Sequence, residues 1–183
     1  MQPLTNLQRG NVVQEKTPVR IERTAFELAA QGEIFPGLDL DWHEVTPEGL
    51  SLLHVAATHG QLQTLKYLLN QGCDPLSRDV KGHLPIHCAS HSGHQTIVKE
   101  LLSRDKSFID EANSEGNTPL MFACYENHCQ VVQELLRLGA DVSLVNQTGE
   151  TAYSIAIRRG HKDVQLLLEK HILHLIAKSS RFQ

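Results

Sequence analysis

Long apolar runs are missing from this chain, so no stretch of it has the roughly 20-residue length of a membrane-spanning helix. Aromatics are scarce at 5% of residues, and Trp42 is the single tryptophan, so a core must rest on Leu, Ile, Val and Ala. Met1-Gln2-Pro3 leads into no apolar segment of secretory type, no glycine follows Met1 for acylation, and no prenylation box closes the sequence. Cys73, Cys88, Cys124 and Cys129 include no close Cys-x-x-Cys pair, so neither a disulfide framework nor a metal site is expected. These absences lead to an expected location in the nucleus and cytoplasm, where thiols stay reduced. A basic surface is lacking too. The net charge is −4, and residues 24–168 carry ten basic against eighteen acidic side chains, with a basic excess of two at each end. An acidic body repels phosphate backbones, which argues against direct nucleic-acid binding. Nothing has the spacing of a nucleophile elbow, a phosphate loop or a paired-carboxylate cleft, so neither an enzyme nor a cofactor is expected.

What is present is repetition. Gly49, Gly82, Gly116 and Gly149 stand 33, 34 and 33 residues apart. Behind each comes a helix-starting residue, an Ala-bearing apolar stretch, a tight turn and a Val/Leu-rich stretch. In the unit at 49–81, Ser51 reads as an N-cap, Ala56 and Ala57 allow close helix packing, and Gly60 ends the first helix. Leu62, Leu65, Leu68 and Leu69 then share one face of a second helix, which Gly72 ends. Units at 82–115, 116–148 and 149–176 repeat this around Ala89, Ala123 and Ala156, with Gly93-His94, Asn127-His128 and Gly160-His161 as turns. The loop Ser103–Asp110 departs from the pattern and holds the extra residue. A shorter first unit, 24–48, has its second helix interrupted by Pro36-Gly37. Phe35, Leu38, Leu40 and Trp42 are expected to cover the exposed end of the unit behind it. Residues 1–23 read as an extended segment and 177–183 as a tail.

Thr118-Pro119-Leu120, with His54 and His87 in the following position of their own units, resembles the Thr-Pro-Leu-His tetrapeptide of ankyrin repeats. The fold expected is therefore all-α: an ankyrin-repeat solenoid of about five repeats, with an atypical N-terminal repeat and an extended C-terminal capping helix. The flanks are more specific. Leu4–Val12, Leu28–Glu33, Ala56–Gln61 and the tail around Glu169-Lys170-His171-Ile172-Leu173-His174-Leu175 resemble the group formed by the regulatory factor X-associated ankyrin protein and ankyrin-repeat family A protein. That resemblance implies a non-enzymatic adaptor, monomeric on its own. Its groove would take extended Pro-x-Leu-Pro peptides from regulatory factor X-type transcription factors or class IIa histone deacetylases, in the service of transcriptional regulation. This chain is a divergent member: Val55 stands where the group has Trp, Phe122 where it has Tyr, and Asn113-Ser114-Glu115-Gly116-Asn117 replaces an Asp-Trp-Asn-Gly-Gly finger. The alternative is a scaffold or inhibitor that holds a folded partner, such as a kinase domain, across its fingers.

The period places a ligand column. Val55, Cys88, Phe122 and Ile155 are equivalent in successive first helices. One turn on lie Thr58, His91, Tyr125 and Arg158, and beside them His59, Ser92, Glu126 and Arg159. The first column doubles as inter-repeat core, and the outer two as plain solvated surface. His87 and His91, four apart on one helix, with Cys124, His128 and Cys129 nearby, have the look of metal ligands. Their places in the repeat account for them better.

Overall fold

The computed structural model describes residues 24–34, 36–37 and 40–179. Phe35 and Leu38, the matching flank before residue 13 and the last four residues lie outside them. Among the described residues the helices are α1 (Ala25–Gln31), α2 (Leu52–Thr58), α3 (Leu62–Asn70), α4 (Pro85–His91), α5 (Gln95–Arg104), α6 (Pro119–Tyr125), α7 (Cys129–Leu138), α8 (Ala152–Arg159) and α9 (Lys162–Ser179). They stack in two layers. The inner layer packs α1, α2, α4, α6 and α8 in order, and the outer layer packs α3, α5, α7 and α9. Each unit behind the first is thus an antiparallel helix pair, as the fold expected from the period requires.

Small side chains set the inner spacing. Ala56, Ala89, Ala123 and Ala156 hold one register and are fully buried, so neighbouring helices approach over a methyl group. The outer helices supply the bulk, with Leu65, Leu68, Val98, Leu101, Leu102, Val132 and Leu135 at 1% exposure or less. The irregular loop behind α5, which holds the extra residue, contributes Phe108 to the core at 1% exposure. N-caps follow the expected places with one correction. Thr118 Oγ1 accepts from the Met121 N–H at 3.4 Å, as the tetrapeptide predicts. Ser51 occupies the N-cap of α2, but the ring there does the capping: the Ser51 N–H donates to His54 Nδ1 at 3.1 Å.

The two ends differ from the middle. In the first unit no helix lies between Gln31 and Leu52 among the described residues. Ile34 is buried in its place, and Leu40 and Trp42 lean on the core. Trp42 meets Tyr67 edge to face at 5.7 Å, and the Cys73 thiol donates to the Trp42 carbonyl. At the far end, the positions of Val98 and Val132 are taken by Gln165, and those of Leu102 and Leu136 by Glu169. Gln165 Nε2 donates to the Ala156 carbonyl at 3.0 Å, and the Tyr153 hydroxyl donates to Glu169 at 2.6 Å. Apolar contacts made to a following repeat are here replaced by polar groups facing water, the means by which a solenoid closes an end. α9 continues past residue 176 to Ser179 and leaves Leu173 at 65% exposure.

Candidate functional site

Among the described residues, four hairpin fingers project beside the inner helices, each built on the same turn. Thr46, Asp79, Asn113 and Asn146 accept at their carbonyls from the N–H of Gly49, Gly82, Gly116 and Gly149 at 2.8–3.0 Å. Their side chains tie down the same turns: Asp79 Oδ1 accepts from the Lys81 and His83 N–H groups, Asn113 Oδ1 from Glu115 and Asn117, and Asn146 Oδ1 from Thr148 and Glu150. Adjacent fingers join through Val80 N–H to the Glu48 carbonyl, Ser114 N–H to Lys81 and Gln147 N–H to Glu115, at 2.9–3.0 Å. The result is one continuous wall facing the inner helices.

Between wall and helices runs a groove made of two cavities that meet at Phe122 and His91. The smaller, about 120 Å³, is lined by Thr58, His83, His87, Cys88, Ser92 and those two residues. The larger, about 520 Å³, has Met121, Phe122, Tyr125 and Ile155 on its floor and Glu115, Asn117, Gln147, Glu150 and Arg158 among its walls. Phe122 is half-buried, with the rings of His83, His87 and His91 at 5.3, 5.7 and 6.0 Å from its centroid.

Of these histidines, His83 is held by the Asp79 carboxylate at 2.9 Å and His87 by backbone. His87 Nδ1 accepts the Leu84 N–H at 3.0 Å and its Nε2 faces the Glu111 carbonyl at 2.9 Å, so the ring is neutral with its proton on Nε2. His54 is placed in the same way, with Nε2 against the His83 carbonyl. Burial pushes both below the ordinary imidazole range, His87 to about 4. With both ring nitrogens spent, His87 has no lone pair to give a metal, which removes the His87/His91 pair as ligands. Burial raises the Cys88 thiol to about 11 and the Cys124 thiol further still, which keeps both from acting as thiolates. The turn residues Gln61, His94, His128 and His161 each point a side-chain nitrogen at a carbonyl in the last turn of the previous inner helix, at 2.8–3.0 Å. Their role is to stitch one repeat to the next.

The sequence-derived column divides in three. Thr58, Cys88, His91, Ser92, Phe122, Tyr125, Ile155 and Arg158 line the groove. Ile155 is 3% exposed and so belongs to the core as well. Val55 is half-buried against the core, and His59, exposed beside it, bonds back to the Val55 carbonyl through Nδ1 at 3.0 Å. Glu126 and Arg159 are drawn into pairs across repeats: Glu126 lies 3.4 Å from His91 Nε2, and the Arg159 guanidinium sits 3.9 Å over the Tyr125 ring. Arg158 is likewise engaged, gripping both oxygens of Glu150 at 2.6 and 3.2 Å. Reasoning on helices alone misses the finger face. His83, Asn117 and Glu150 follow successive finger glycines and line the groove opposite the first column; the period that aligned the helices also aligns them.

Comparisons with known proteins agree with this architecture. The family description "Ankyrin repeats (3 copies)" matches residues 24–112 and 104–176. The chain is 29% identical over 136 residues to Ankyrin repeat protein nuc-2 of Neurospora crassa, covering 74% of this chain and 13% of that protein. It is 30% identical over 114 residues to Target of rapamycin complex 2 subunit AVO2 of Saccharomyces cerevisiae, covering 61% and 27%. A match to human NAD-capped RNA hydrolase NUDT12, 37% identical over 82 residues, covers 45% of this chain and 18% of that enzyme. The chain thus spans about an eighth to about a quarter of these relatives' lengths. The shared part is repeat sequence, of a kind that is typically non-enzymatic and mediates protein–protein interaction. By its period, its paired helices and this match over most of its length, the chain belongs to the ankyrin repeat family.

Proposed function

We propose that the protein is an adaptor that binds an extended Pro/Leu-containing peptide of a transcription factor or corepressor along this groove, as a transcriptional co-regulator in the nucleus and cytoplasm. The observation that carries this reading is the groove itself, two joined cavities with a half-buried phenylalanine where they meet. An aromatic floor between polar walls suits a chain rich in proline and leucine, which loses little entropy on docking. The resemblance to the regulatory factor X-associated ankyrin group points the same way, with regulatory factor X-type factors and class IIa histone deacetylases as the partners to try first. A folded domain across the fingers is the second reading. It is favoured by Val80, 69% exposed on the second finger, and Val145, 58% exposed at the base of the fourth.

The groove reading is tested by replacing Phe122 and Tyr125 together with alanine. Affinity for a Pro-x-Leu-Pro peptide, measured by calorimetric titration, is expected to fall at least about tenfold, the loss typical of an aromatic anchor. Helical circular dichroism is expected to stay native, because neither side chain is fully buried. Unchanged affinity in a folded double variant moves the ligand elsewhere.

A further inference from the structure

The groove is not uniform along its length, and the difference describes the ligand. The smaller cavity has about 120 Å³, the space of about four waters at roughly 30 Å³ each, and so fits one aliphatic side chain or a proline ring. Phe122, Cys88 and the methyl of Thr58 give it apolar surface. The larger cavity carries charge. Arg158 is its arginine, and its Nε and Nη2 both donate to Glu150, whose carboxyl it holds below the usual range. Glu115 faces the same cavity and receives only the neutral Asn117 amide at 3.1 Å; among the described residues no cation pairs with it. The Glu150–Arg158 pair cancels, and the carboxylate of Glu115 is left over at the mouth of a groove whose surrounding body, residues 24–168, carries eighteen acidic against ten basic groups.

Resting on the peptide-groove reading, we infer that the ligand is a basic peptide segment with an apolar residue seated against Phe122 and a lysine or arginine set against Glu115. The spacing follows from the stack. The smaller cavity is centred on α4, with Thr58 of α2 and Phe122 of α6 at its two sides, and Glu115 stands on the finger before α6, one helix on. Neighbouring helices lie about 8–10 Å apart, and an extended chain advances about 3.3 Å per residue, so anchor and cation are separated by about three residues. An acidic residue in that place meets Glu115 with like charge, which gives the groove a means of refusing partners as well as choosing them.

The test uses three fluorescein-labelled peptides, Pro-Ala-Leu-Pro-Ala-Arg and its counterparts ending in Ala and Glu, each amidated and flanked by Gly-Ser. Fluorescence anisotropy is recorded at 50 and 300 mM salt. The order Arg, Ala, Glu is expected, with about threefold to fivefold between the first two at low salt and less at high salt. Glu115→Gln is expected to erase the preference among the three; Phe122→Ala is expected to weaken all three. Equal binding of the three peptides that is still lost in Phe122→Ala overturns the charge selection and keeps the groove. Binding indifferent to Phe122→Ala, or absent for all three, overturns the groove reading and this inference with it.

Discussion

Replacing Gly82 with alanine is expected to destabilise the array by about 3 kcal/mol, whereas the same change at Gly149 is expected to cost about 1 kcal/mol. Both glycines close the same finger turn and both have φ +75°, so the left-handed backbone penalty of a Cβ is common to them. Their surroundings are not. A Cβ on Gly82 would lie 2.8 Å from the Ser114 backbone nitrogen and 2.6 Å from its hydroxyl, because the next finger is stacked there. The hydroxyl can rotate away, but the nitrogen cannot. It donates to the Lys81 carbonyl at 3.0 Å, and moving it breaks the link between fingers. At Gly149 a Cβ meets nothing within 4 Å, since among the described residues no finger is stacked on this one. Urea unfolding followed by circular dichroism gives both losses. Equal losses at the two sites would mean that the finger ladder contributes nothing to stability. A loss at Gly82 below that at Gly149 would also contradict the stacking.

The contrast between these glycines shows what could be read in the chain beforehand. A period of 33–34 residues makes equivalence visible, so the helix pairs, the turns and the inner column were legible, and so was the loss of regularity before Trp42. Equivalence does not reveal partners. That His91 meets Glu126 and Arg159 stacks on Tyr125 depends on the distance between inner helices, which no one-dimensional register contains. It also hides departures that keep the register. Phe108 sits in the loop where the pattern fails, yet it is as buried as any leucine in the repeats. The finger face of the groove was legible in principle, because His83, Asn117 and Glu150 hold a fixed place behind their glycines. It was missed because polar residues behind a turn carry no amphipathic signal, and only the folding of the finger against α4, α6 and α8 brings them to the cavity. The tetrapeptide histidines were legible as turn-formers. Their second bond, from His54 to the His83 carbonyl behind the next finger and from His87 to the Glu111 carbonyl in the loop before the next finger, was not.

That second bond sets the response to acid. His87 is neutral in the fold because Nδ1 must accept from Leu84 while Nε2 donates to Glu111; a second proton would set a donor on Nδ1 against a donor. Burial, with His83 and Arg78 as nearby positive or potentially positive groups, holds its pKa at about 4 against 6.5 for an exposed imidazole. Its folded-state pKa is depressed, so between pH 6.5 and about 4 the unfolded chain binds a proton that the folded chain refuses, and stability falls with falling pH. At about 1.4 kcal/mol per pH unit, His87 alone is expected to remove about 2 kcal/mol between pH 7 and pH 5. His54, lowered by the same burial, adds in the same direction. The check is the difference in unfolding free energy between the two pH values for the native protein and for His87→Gln, whose amide keeps a donor and an acceptor but takes no proton. The variant is expected to be weaker at pH 7 and to lose about 2 kcal/mol less on acidification. Equal acid losses in the two proteins would mean that His87 accepts its second proton inside the fold, and that its two backbone bonds do not fix its state.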